Sequence, residues 1–316
     1  MSRSALFAVA SVATVCFIQF WIDGQMIVNN FDGPASRSSN QVATPTAQRL
    51  ADGCYHVFLD VGSNIGNHVR FLFEPQLYPA ARIARNFFKE AFGPESERVN
   101  TDICVFSFEP NPDHYSRHEH LRRAYNSLDW RYTPIHAGVG HQTGNITFYH
   151  TGDDLGFTTK KSNCRRECRP EHVPIIRLAD WIKREVADRR IPQIRNNTVI
   201  PPPRVVMKMD IEFMEYEVIP DLMLSGVLCN NIHAVMGEFH HDVQSIAYLW
   251  PMTYQGGESE WTLDREMAKQ ISTEWLRMME HNLNCNTKFF MKDDESYRND
   301  GQPLPIIQTS SNASLP

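Results

Sequence analysis

Short apolar runs alternate with amphipathic or polar segments along most of the chain. Residues 57–61 (VFLDV), 102–109 (DICVFSFE), 205–210 (VVMKMD) and 232–239 (IHAVMGEF) are compact apolar stretches, the pattern of parallel strands buried on both faces. Residues 131–139 predict a further strand, 145–150 alternate as a half-exposed strand does, and 287–292 predict the last. Helical stretches fall within 66–89, from Pro112 to about Tyr125, and over 178–190, 214–224 and 261–283. Residues 191–203, rich in proline and asparagine, form a connection. Such alternation predicts an α/β fold: a doubly wound, mostly parallel Rossmann-like sheet with helices on both faces. There is no internal repeat and no heptad pattern.

The amino terminus departs from this rhythm. Residues 5–22 carry no charge, and only Ser11, Thr14 and Gln19 interrupt the apolar run. At about 1.5 Å per residue a helix there reaches ~27 Å, near the ~30 Å hydrocarbon core of a bilayer. Arg3 before the run and Asp23 after it place the amino terminus in the cytoplasm. A cleaved signal peptide is the rival, but the run ends in Phe20-Trp21-Ile22 without a small-residue cleavage site. The expected organisation is a cytoplasmic tail and membrane-anchor helix over 1–23, a flexible stem over 24–53, and a catalytic domain over 54–316. Residues 32–48 are rich in Ser, Ala, Thr, Pro and Gln and cannot bury a core. The chain is then a single-pass type II protein facing the lumen of the Golgi or endoplasmic reticulum, or a secreted protein if the segment is cleaved.

Composition narrows the classes without choosing a function. With 42% hydrophobic and 22% charged residues the 316-residue chain is globular in character. Its net charge of -6 is no footprint of a nucleic-acid partner. Beyond the anchor lie Cys54, Cys104, Cys164, Cys168, Cys229 and Cys285, enough for three disulfides in an oxidising lumen. Cys104 sits inside a predicted strand and is expected to be a plain core residue. The sequons at Asn145, Asn196 and Asn312 agree with a lumenal location.

In open α/β sheets ligands sit outside the carboxyl ends of the strands. The first strand closes on Asp60-Val61-Gly62-Ser63-Asn64-Ile65-Gly66-Asn67, where Asn64 replaces the second glycine of a dinucleotide fingerprint. An acidic residue before the first glycine repels a pyrophosphate and suits a cationic amino group. The second strand ends on Glu109-Pro110-Asn111, a carboxylate placed to accept from ribose hydroxyls. Together they describe a nucleoside with an amino-acid tail, S-adenosyl-L-methionine.

D-V-G-S-N-I-G-N, F-E-P-N-P and K-M-D-I-E-F-M-E, in this order, resemble the FkbM-type S-adenosylmethionine-dependent methyltransferases, as do residues 136–140 and 176–180. The resemblance spans residues 55–241 and implies a Rossmann-like methyltransferase sheet. It assigns Asp60, Gly62, Ser63, Asn64, Gly66, Asn67, Glu109 and Pro110 to the cofactor. It places Asp210 and Glu212 at the acceptor, with Glu238 and His240 as further candidate bases. Phe213 stands where the family has glycine, and the insertions near 74–100 and 152–172 have no clear counterpart.

The bland alternatives are specific. Asp210 could cap the next helix, Glu215 and Glu217 could be solvated or capping residues, and His114, His118 and His120 could form an exposed polar face. Met207, Met209, Met214 and Met223 read as core filler. Residues 293–295 (DDE) read as a solvated loop, and His240-His241 as loop surface, with no ligand cluster that requires a metal. The expected activity is O-methylation of a glycan hydroxyl. The alternatives are a small-molecule or protein acceptor, or a catalytically inactive binding module of the same fold.

Overall fold

The computed structural model describes residues 48–150, 157–158, 169–193, 201–212, 214–240, 244–245, 262–263, 265–282 and 284–308. The apolar run 5–22, the stem up to residue 47, Cys164, Cys168, Phe213, His241 and the sequons at Asn196 and Asn312 lie outside them. Among the described residues no helix is long and apolar enough to cross a membrane.

Six parallel strands form the main sheet: β1 (His56–Val61), β2 (Ile103–Phe108), β3 (Arg131–Ile135), β8 (Val205–Met209), β9 (Ala234–Gly237) and β12 (Lys288–Phe290). Their order is β12-β9-β8-β1-β2-β3. From β1 the chain winds outward through β2 to β3, returns to β8 on the other side of β1, and winds the other way through β9 to β12. This is the strand order of a doubly wound sheet, with its switch point between β1 and β8.

Both faces are covered, so the strands carry apolar residues on both sides. Along β1, Val57, Leu59 and Val61 join one core and Phe58 the other. The first core packs against α4 (Leu178–Glu185), α5 (Glu215–Leu224), α6 (Val227–Asn231) and α7 (Arg265–Glu280). Trp181 of α4 lies edge-on to Phe106 and Phe108 at 5.2 and 5.0 Å. The second core packs against α1 (Asn67–Phe73), α2 (Arg82–Phe92) and α3 (Pro112–Asn126). Met207, Met209 and Met214 are buried, as core filler should be.

The strand expected over 131–139 divides in two. Ala137 N donates to Ile135 O at 2.8 Å, turning the chain out of the main sheet. β4 (Gly138–Gly140) then joins a second sheet of order β4-β7-β5-β6, with β5 (Gly144–His150), β6 (Phe157–Thr158) and β7 (Pro170–Arg177). Phe148, Val173 and Ile175 form its small core. The short pair β10 (Gln244–Ser245) and β11 (Thr262–Leu263) completes the described strands.

Three expectations change. The compact unit begins at Gln48, ahead of residue 54, because Ala51 is fully buried and Asp52 binds Arg190. Cys104 is not a free core thiol: Cys54, just before β1, lies beside β2 and bonds to it, and Cys229 bonds to Cys285. The segment after β12 is no solvated loop. It folds back over α1–α3, where Asp294 accepts from Ile83 N and Ala84 N at 2.8 and 3.0 Å, and Asp300 binds Arg70, Arg117 and Tyr78.

Candidate active site

A cleft of about 590 Å³ opens at the carboxyl ends of β1, β2 and β8, at the switch point of the sheet. Gly62, Asn64, Glu109, Pro110, His114, Gly138, Phe148, Asp210, Glu212 and Met214 are among the residues that line it.

The turn after β1 is held by both neighbouring strands. Gly62 N and Ser63 N donate to Phe108 O at 3.1 Å, and Asp210 N donates to Val61 O at 3.1 Å. Gly62 has φ +76°, and a Cβ there would lie 1.8 Å from Asp210 O. Glycine is therefore required twice, for the left-handed backbone and for the close approach of β8. Glu109, at the end of β2, accepts from Asn64 N through Oε2 at 2.6 Å and from Asn111 N through Oε1 at 2.8 Å. Asn111 in turn caps α3, accepting from Asp113 N at 3.1 Å. One carboxylate thus fixes the turns after both strands while facing the cleft.

The histidines of α3 support these turns from below, correcting the expectation of an exposed polar face. His118 is fully buried and His114 is 5% exposed. His118 Nε2 donates to Asn64 O at 2.6 Å, and Nδ1 accepts from the Tyr132 hydroxyl. Burial lowers its pKa to about 4, so the ring is neutral at physiological pH.

The other wall is acidic and organised by His240. Its Nδ1 bonds Glu215 Oε1 at 2.9 Å, and its Nε2 lies 3.3 Å from Glu238 Oε1, 3.7 Å from Asp210 Oδ1 and 3.8 Å from Glu212 Oε2. Burial alone would lower the imidazole's pKa, but the hydrogen bonds to Glu215 and Glu238 push it up to about 11. Glu215 is 1% exposed and also accepts from Ile211 N at 2.9 Å. It is neither solvated nor a helix cap, because His240 covers it. Glu217 is likewise taken, by His141 at 2.8 Å. Asp210 does not cap α5: its Oδ2 receives Lys208 Nζ at 3.2 Å. Burial raises the pKa of Asp210 and of Glu212.

Beneath the cleft lies a buried charged group. Lys208 Nζ also donates to Gly62 O at 2.8 Å. Burial would depress this ammonium, yet Asp210, Asp293 and Asp60 raise its pKa. Asp293 pairs with His68 at 2.9 Å, and although burial opposes it, the charges of His68 and Lys208 hold its pKa below the ordinary range. Asp60 is fully buried, its pKa raised by burial, and its Oδ1 has no hydrogen-bond partner among the described residues.

Of the residues singled out in the sequence, Gly62, Asn64, Glu109, Pro110, Asp210 and Glu212 line one cleft, with Glu238 and His240 beside it. Four stand behind the lining. Asp60 lies within β1, Ser63 Oγ is 3.3 Å from His118 Nε2, Gly66 begins α1, and Asn67 Nδ2 donates to Tyr297 O at 2.7 Å. Sequence reasoning missed His114, Phe148, Lys208, Glu215 and Asp293. Only Lys208 carried a signal, as the first residue of the K-M-D-I-E segment.

A family model for the methyltransferase FkbM domain matches residues 60–267. Among solved structures, a methyltransferase FkbM from Methylobacillus flagellatus KT is similar at 13% identity, with a TM-score of 0.29. The similarity covers 54% of this chain and 29% of that one, so the match spans less than a third of that protein. No curated protein matches the chain. The family match takes in the β1 turn, Glu109, the acidic end of β8 and His240, and the chain belongs to the FkbM methyltransferase domain family.

Proposed function

We propose that this methyltransferase is an S-adenosylmethionine-dependent O-methyltransferase acting on hydroxyl groups of glycans in the secretory lumen. The observation that carries the chemistry is one cleft at the switch point, with Gly62 and Glu109 on its β1–β2 side and Asp210 and Glu212 at the end of β8. The chain fits the cofactor in one respect: the buried Asp60 Oδ1, beneath the β1 turn, is an acceptor short of a donor among the described residues. Gly62, Asn64, Glu109 and Pro110 would hold the cofactor, with Asp60 and Ser63 beneath them. S-adenosylmethionine, when bound, supplies an electrophilic methyl group.

Methyl transfer is an in-line displacement, so holding the acceptor oxygen in place contributes much of the rate. Asp210 and Glu212 are positioned to take that role and to accept the hydroxyl proton. Burial raises both carboxyl pKa values, bringing them closer to the range where a base is effective. Lys208 and His240 keep the two carboxylates in place from behind.

The lumenal setting is supported by two disulfides, which persist in oxidising compartments, and by the exposed sequon at Asn145. The apolar run 5–22 would serve as the type II anchor, and sugar hydroxyls are the abundant acceptors there. Calorimetry of the full chain tests the cofactor: binding of S-adenosylmethionine is expected, weakened about tenfold (~1.4 kcal/mol) in Glu109→Gln. Binding of NADH instead would end the methyltransferase reading. Mass spectrometry of glycans released with and without the protein tests the acceptor by a methyl increment, and an unchanged glycan profile would refute it.

A further inference from the structure

The acidic wall of the cleft converges on one imidazole. Among the described residues, Asp210, Glu212, Glu215 and Glu238 surround His240, and Lys208 Nζ is bound to Asp210.

Donor atoms of Asp210, Glu212 and His240 all lie within 4.8 Å of one another, and Glu238 Oε1 is 3.3 Å from His240 Nε2. Around one cation with bonds of about 2.0–2.2 Å, adjacent donors stand ~3.0–3.6 Å apart and opposite ones ~4.2 Å. The donors come from two strand ends, β8 and β9, which the parallel sheet holds side by side. Behind them Glu215 binds His240 Nδ1 at 2.9 Å, the carboxylate–histidine arrangement that turns the other ring nitrogen toward a metal. Glu215 is 1% exposed, and its Oε2 has no hydrogen-bond partner among the described residues.

We infer that Asp210, Glu212, Glu238 and His240 form a binding site for one divalent transition-metal cation of the Mn²⁺ or Zn²⁺ type. One imidazole among carboxylates suits such ions better than Mg²⁺ or Ca²⁺, which take oxygen donors. Because Asp210 and Glu212 line the cleft, the cation would bind the acceptor oxygen and favour its deprotonated form. That role rests on the methyltransferase reading, whereas the binding of the cation does not.

The test is titration of Mn²⁺ into the full chain, followed by the loss of the free-ion electron paramagnetic resonance signal, with Zn²⁺ as competitor. One Mn²⁺ per chain is expected. Glu212→Gln and Glu238→Gln, whose side chains are 47% and 43% exposed, should fold normally and weaken binding at least about tenfold each. Glu95→Gln, on a remote surface ion pair, should change nothing. Absence of Mn²⁺ and Zn²⁺ binding up to ~1 mM by cooperatively melting protein would overturn the site. So would equal affinity in the Glu212→Gln/Glu238→Gln double variant. S-adenosylmethionine binding, measured by calorimetry with chelator present, separates the two ideas. Cofactor binding without cation binding removes only the metal site, and cation binding without cofactor binding removes only the cofactor reading.

Discussion

Gly62→Ala is the sharpest test of how the cleft is built. The new methyl would lie 1.8 Å from Asp210 O, 2.8 Å from its carbonyl carbon and 3.0 Å from Ile211 Cγ2. The obstacle is backbone, so no rotamer change relieves it, and the ends of β1 and β8 must part by about an ångström. That movement strains the Asp210 N to Val61 O bond at 3.1 Å and the Lys208 Nζ to Gly62 O bond at 2.8 Å. Losing the first costs ~1 kcal/mol and the second, with its charged donor, ~1.5–3 kcal/mol. Holding alanine at φ +76° adds ~1–2 kcal/mol, for a total of about 3.5–6 kcal/mol. Gly144→Ala is the control, since nothing lies within 4 Å of its Cβ and its backbone is not left-handed. Urea unfolding should show the full loss for Gly62→Ala and under about 0.5 kcal/mol for the control. Calorimetry should show cofactor binding lost in the first only. A loss under about 1 kcal/mol with unchanged cofactor affinity would refute the close approach of β8 to the β1 turn.

Two further outcomes follow from buried groups away from the cleft wall. Burial lowers the pKa of His118 and of His56 from 6.5 to about 4, with Arg204 and Arg189 adding to the effect at His56. The folded state therefore binds fewer protons than the unfolded one between these values. Their contribution is complete above pH 6.5 and is lost as pH falls toward 4, up to roughly 3 kcal/mol per histidine. Urea midpoints between pH 4.5 and 7.5 should rise with pH, and the slope should flatten in His56→Gln/His118→Gln; a flat parent profile would refute the burial argument. The disulfides Cys54–Cys104 and Cys229–Cys285 close separations of 50 and 56 residues. Each adds up to ~4 kcal/mol by restricting the unfolded chain. Reduction should lower the urea midpoint, and alkylation of all four thiols in the native, unreduced protein would contradict the pairing.

What the sequence conveyed and what it hid divide along a physical line. The strands were legible because burial on both faces leaves uninterrupted apolar runs, and Gly62, Glu109 and Asp210 because each ends such a run. A parallel sheet brings those ends to one edge whatever the loops do, so four lining residues of the cofactor side could be located from local pattern. The hidden residues are polar groups buried by other polar groups. Hydropathy assigns His118 to solvent, yet Tyr132 and the Asn64 carbonyl satisfy both its ring nitrogens inside the fold. Glu215 and Glu217 open α5, where acidic residues are favoured by the helix dipole, and that sufficient local reason masks their pairing with His240 and His141. Asp293 is the extreme case. Its partners His68 and Lys208 come from α1 and β8, and no spacing in the chain relates the three. Cys104 was hidden for the opposite reason, since a thiol and a half-disulfide are equally at home in an apolar strand. Phe148 lies in the strand expected over 145–150, but the alternation there does not tell that a second sheet brings it to the cleft. The candidate cation site is of the first kind. Its donors lie in the motif-bearing segments at the ends of β8 and β9, but their convergence appears only when the sheet sets those ends side by side and Glu215 is seen to hold His240 from behind.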